Sequence, residues 1–242
     1  MLTPVPTPAA SDRSDRLADL LEHTSPEARQ RRVDASTWPA LDAIAPLLPD
    51  RRLPRGAVVE VLGDHYLLMA LAAGAAQHPD LHVAAVGMPD LGLAALNAMG
   101  ISYNRLAVAD DPGAHWPEVV AALIREGAFG VVLLQPTTAP QPRDHQRLAA
   151  RLRESGSTLL VTTPWPGAAL RLTTSRPRIA GLGDGWGQIV SRTVDAECTG
   201  RGRAATRTRT ATLLLPGPDG TAQPSPAATS EETSPLADVA MA

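Results

Sequence analysis

The sequence contains no lysine, so all 22 basic residues are arginine. This excludes chemistry that needs a primary amine: Schiff bases, Ser–Lys pairs and the phosphate-binding lysine of a P-loop. Cysteine occurs once, at Cys198. A single thiol closes no intramolecular disulfide and builds no zinc cluster. Aromatic residues make up 3 % of the chain, which leaves few platforms for stacking bases. No run of about 20 apolar residues is present to span a bilayer, so no membrane partner is expected. No apolar stretch follows a basic N-terminal segment; no secretory leader is expected, and the expected location is cytoplasmic.

What is present points to a globular α/β protein. The 242 residues suffice for one domain with a sizeable core plus tails. Hydrophobic residues reach 44 % and are mostly Ala, Leu and Val, a composition suited to buried strands flanked by Ala/Leu helices. The net charge of −3 conceals an asymmetry. Residues 171–209 carry eight arginines against Asp184, Asp195 and Glu197, whereas the 27 residues from Pro216 carry four acids and no base.

Three parts are expected: an N-terminal mobile segment (1–37), a core domain (38–215) and a disordered acidic tail (216–242). Within the first, Arg16 to His23 has helical spacing; a second short helix is expected at Pro39 to Leu47, with Ser36 or Thr37 as its cap. In the core, apolar strands are expected at 57–62, 82–86, 105–109, 129–134 and 158–162, separated by helices near 66–77, 91–99, 116–126 and 142–154. Strands apolar on both faces, alternating with helices, imply a mainly parallel sheet covered on both sides. Residues 164–186, rich in Gly, Pro and Arg, read as a long loop. Two strands, 188–194 and 207–215, then read as an antiparallel pair at the sheet edge.

The segment Arg51–Gly63 (RRLPRGAVVEVLG) carries Leu53, Pro54, Gly56, Val59, Glu60, Val61 and Gly63. It resembles the strand that enters the nucleotide site of RecA-family recombinases. The similarity continues in order through Leu91–Asn104, Ala114–Leu134 and Leu148–Thr163, and spans about residues 38–215. The implied fold is a RecA-like core. The departures from the family then bear on function. A P-loop needs glycines that turn backbone N–H groups toward phosphates, a lysine, and a hydroxyl for Mg²⁺. Here Gly63 is followed by Asp64, His65, Tyr66, Leu67, Leu68 and Met69. Asp64 would oppose a polyphosphate. The metal-binding acid falls at about Gln135, a poor Mg²⁺ ligand. Gly87-Met88-Pro89 stands where a catalytic Glu belongs, and Pro164 stands at the polar sensor.

The degenerate site is therefore Gly63, Asp64, His65 and Gln135, with no cofactor, no metal and no catalytic residue expected. A RecA-like chain of this kind resembles two non-enzymatic families, the ImuA-prime accessories of actinobacterial translesion synthesis and the SulA cell-division inhibitors. Length and Arg/Ala-rich composition fit the first better. That resemblance implies a part in the damage-induced SOS response and in mutagenic DNA repair. The partners it implies are ImuB, an inactive Y-family polymerase relative, and a specialised replicative-type polymerase. The alternatives are a SulA-like inhibitor and a divergent nucleotide-binding enzyme.

For contacts with DNA or a protein partner, the recombinase loops correspond to about 136–145 and 164–186. The candidates are Arg143, Trp165, Arg171, Arg176, Arg178 and Trp186; a solvated arginine face is the plainer reading of the basic stretch. His78 and His82 have the spacing of a helical metal pair, but Pro79 breaks the helix and surface histidines are expected. Asp110-Asp111 before Pro112-Gly113 reads as a capped turn rather than a ligand site.

Overall fold

The computed structural model describes residues 26–182, 187–201 and 208–225. The stretch Arg16–His23 and Trp186 lie outside the described residues. Helix α1 (Pro26–Ser36) leads into β1 (Thr37–Trp38), which pairs antiparallel with β2 (Leu53–Pro54). The core follows as β3 (Val58–Leu62), α2 (His65–Ala75), β4 (Val83–Val86), α3 (Leu93–Ala98), β5 (Leu106–Ala109), α4 (Trp116–Leu123), β6 (Val131–Leu134), α5 (Pro142–Ser155) and β7 (Thr158–Val161). The strands β8 (Leu170–Leu182), β9 (Gly187–Gly200), β10 (Arg209–Leu214) and β11 (Gln223–Pro224) complete it.

One nine-stranded sheet runs in the order β11-β10-β9-β8-β3-β7-β6-β4-β5. The strands from β8 to β5 in that order are mutually parallel; β9, β10 and β11 are antiparallel additions. This is the expected α/β class, with a mostly parallel sheet and an antiparallel C-terminal part. β4, β6 and β7 are buried at every position, as strands covered on both faces must be. One face packs α2 and α3 with Leu47, Leu53 and Leu81. The other packs Trp116, Val120, Leu148 and Leu152 of α4 and α5.

Helix α2 is apolar all round, and Leu67 to Ala75 are all buried. Its outer side is covered by residues 40–48, not by solvent. A Cβ at Gly74 would lie 2.6 Å from the Leu41 nitrogen, so glycine lets that segment lie directly on the helix. This covering segment departs from the helix expected at 39–47. It contains a turn and a short 3-10 helix, Ala45–Leu47, and the local helix is α1 instead. Arg105, just before β5, donates to the carbonyls of Ala76, His78 and Pro79. A cation thereby satisfies the orphan carbonyls at the end of α2.

The segment 164–186 is not one long loop. After a short connection the chain enters β8 at Leu170, whose first residues pair parallel with β3. From Arg176 onward, β8 pairs only with β9, and the described side chains of 176–182 and 187–190 are all exposed. This two-stranded arm projects past Leu62, beyond the carboxyl end of β3. Residues 216–225, assigned from composition to the tail, extend the sheet through β11. The Tyr66 hydroxyl donates to the Gly220 carbonyl, tying that segment back to α2.

A candidate functional site filled by its own carboxylate

The strand-to-helix junction between β3 and α2 is where the resemblance implies an anion cradle. Gly63 makes the turn with φ +77°, and a Cβ there would meet nothing within 4 Å. Asp64 is the N-cap of α2 and is buried. Its Oδ1 accepts from the backbone N–H of Tyr66 at 2.9 Å and of Leu67 at 3.1 Å. These are two of the orphan donors that a helix N-terminus offers to an anion.

Two residues from the C-terminal strands complete the shell. Thr174 of β8 donates its hydroxyl to Oδ2 at 3.0 Å. Arg192 of β9 reaches both oxygens through Nη2, at 2.9 and 2.7 Å. Arg192 is itself fixed, because Nε donates to the Leu215 carbonyl at 2.6 Å. Its backbone N–H also donates to Pro216, at 2.9 Å. The carboxylate thus holds an arginine, a hydroxyl and two helix N–H groups. A phosphate at a helix N-terminus would recruit donors of the same kinds.

His65 is exposed on the first turn of α2, and Gln135 is half-buried at the end of β6. A Cβ at Gly87 would lie 2.2 Å from the Gln135 carbonyl oxygen; the backbones at the ends of β4 and β6 close on each other there. Tyr66 is held above its usual phenol range, first by burial and then by the nearby Asp219.

A second buried carboxylate organises the loop after β7. Glu60 accepts the Trp165 backbone N–H at 2.6 Å and also binds the Arg171 guanidinium. That contact raises the Arg171 pKa. Trp165, 2 % exposed, packs edge-on against Trp116 and His145. Burial holds the His145 imidazole below its ordinary pKa, with Asp144 opposing.

The expected contact residues therefore divide. Trp165 is a core residue and offers no face to a base, and Arg171 is engaged by Glu60. Arg143 is 80 % exposed, beside Asp144. Arg176 and Arg178, 80 % and 57 % exposed, flank Asp195 at 3.7 Å each. The sequence reading missed the Asp64–Arg192 pair. The only signal for it was an acid at a helix cap and an arginine in a late strand, 128 residues apart.

Among the described residues, no group of three or more His, Cys, Asp or Glu side chains could hold a metal ion. His78 packs on Trp38 and His82 on Phe129. Asp110 and Asp111 are exposed after β5. No helix among these residues is long and apolar enough to cross a membrane.

Fold and site together define an α/β protein with a mostly parallel sheet, in which a side-chain carboxylate fills the helix N-terminus at the first strand–helix junction of the parallel core. The chain belongs to the family of the MT3502 N-terminal domain, whose model matches residues 46–167. Over 121 residues it is 39 % identical to the uncharacterized protein Rv3395c of Mycobacterium tuberculosis (strain ATCC 25618 / H37Rv). That match covers 50 % of this chain and 58 % of the relative, so the chain spans little more than half of the relative's length. Among solved structures it is similar to the RadB recombinase, with a TM-score of 0.49 and 15 % identity. The likeness covers 66 % of this chain and 87 % of that one.

Proposed function

We propose that this chain is a non-catalytic RecA-like accessory protein that works by binding other macromolecules. The observation that carries this reading is the Asp64 carboxylate, seated on the α2 N-terminus and held by Arg192 and Thr174. An incoming polyphosphate would meet a buried negative charge whose donors are already engaged. The absence of lysine, of a metal-binding acid at Gln135 and of a catalytic acid at Gly87-Met88-Pro89 supports the same reading.

The context we propose is damage-induced mutagenic translesion synthesis, on the resemblance to the ImuA-prime accessories. The partners would be an inactive Y-family polymerase relative of the ImuB kind and a specialised replicative-type polymerase. DNA contact would run through Arg143, Arg176 and Arg178, the exposed arginines of the candidate set that no buried carboxylate holds. The test is direct binding of the purified chain to the purified ImuB-like protein of the same organism, with single-stranded DNA titrated separately at two salt concentrations. The reading expects a stoichiometric protein complex. An absence of protein binding, together with nucleotide turnover, would overturn it.

A further inference from the structure

Among the described residues, seven large hydrophobic side chains stay exposed. Tyr103 and Val108 lie just before and within β5, the last strand of the sheet, and Leu93 opens α3. The other four, Ile179, Leu182, Ile189 and Val190, lie on the arm of β8 and β9. Among the described residues β5 pairs only with β4, and no strand of theirs pairs with its outer edge. Unpaired apolar edges and isolated two-stranded ribbons both tend to be covered in a native assembly.

The two patches differ in charge. Asp90, Asp110 and Asp111 are exposed beside the β5 edge, at the ends of β4 and β5. The arm carries Arg176 and Arg178, which share the single carboxylate of Asp195 over long contacts of 3.7 Å. An acidic apolar edge and a basic apolar arm on one chain are complementary. The arm cannot readily fold onto its own edge. Five strand spacings separate β8 from β5, about 24 Å, and the arm projects along the strand direction rather than across the sheet.

From this geometry we infer that the arm of one copy docks on the β5 edge of a second copy. Leu182 and Ile189, on the ribbon face that carries Arg178 and Asp195, cover Val108, and Arg176 and Arg178 face Asp110 and Asp111. The contact is heterologous: two different surfaces meet, and each copy keeps one of each to offer. It does not depend on the reading of the nucleotide site.

Sedimentation velocity of the full chain, from about 1 to about 100 µM, tests this at low and high salt. The expected result is association that grows with concentration and weakens with salt. R176E/R178E and D110R/D111R should each abolish it alone. An equimolar mixture of the two should restore it, because each reversed surface then meets a complementary one. L182S/I189S, which leaves every charge in place, should weaken association at least about tenfold. Circular dichroism melts confirm that each variant is folded. A wild-type chain that stays monomeric throughout overturns the inference. So does association indifferent to the reversals, or a mixture that stays monomeric.

Discussion

Arg192 and Asp64 stand 128 residues apart in sequence and 2.7 Å apart in space. Asp64 is almost wholly buried and Arg192 three-quarters so, so each is costly to leave alone. Arg192→Ala should cost about 3 kcal/mol, since it strands a buried carboxylate. Asp64→Asn, which retains a capping oxygen, should cost less. Urea unfolding of the two single variants and the double variant measures the coupling. Strict additivity would mean that the two groups do not act as a pair.

Arg171 and Arg143 should behave differently although both are surface-reaching arginines. Arg171 holds the buried Glu60, whereas Arg143 is largely solvated. Arg171→Ala should lower the urea midpoint, and Arg143→Ala should leave it within about 0.5 kcal/mol of wild type. Equal effects would contradict the role assigned to Glu60.

Cys198 lies buried in β9, and desolvation pushes its thiol up to about 11. The reactive species is the thiolate. A disulfide reagent at neutral pH should leave the folded chain unmodified and react at once after unfolding in guanidinium. Rapid reaction of the native protein would show that β9 opens readily.

The His145 imidazole sits against Trp165, and burial lowers its pKa. With the folded value below the unfolded one, the unfolded chain binds more protons as pH falls. Stability is therefore complete above the ordinary imidazole range and declines as pH drops through it toward the folded value. Thermal melts between about pH 8 and pH 5 should show this decline, and His145→Phe should flatten it. An unchanged profile in the variant would assign the decline to another group.

The parallel core was legible because its strands are short apolar runs such as Val131–Leu134 between amphipathic helices. Periodicity reports burial, and these strands are buried on both faces. The arm was misread as loop for the same reason. Arg176 to Leu182 bury nothing, so they carry no apolar alternation, and Pro177 and Gly181 imitate loop composition. The covering segment at 39–47 has helical spacing because it packs on α2, yet Pro39 and Pro46 break it into a turn and a 3-10 piece. At the site, the missing lysine and the substitution at Gln135 were visible in the sequence. The positive contribution was not: Arg192 reaches Asp64 only because β9 pairs with β8 and β8 with β3.

The central claim is that a carboxylate of the chain itself occupies the anion position. Isothermal titration of the full chain with ATP and Mg²⁺ tests it most directly. No binding is expected at concentrations up to about 1 mM. Saturable binding with micromolar affinity at the β3–α2 junction, lost on replacing residues around Gly63, would contradict it.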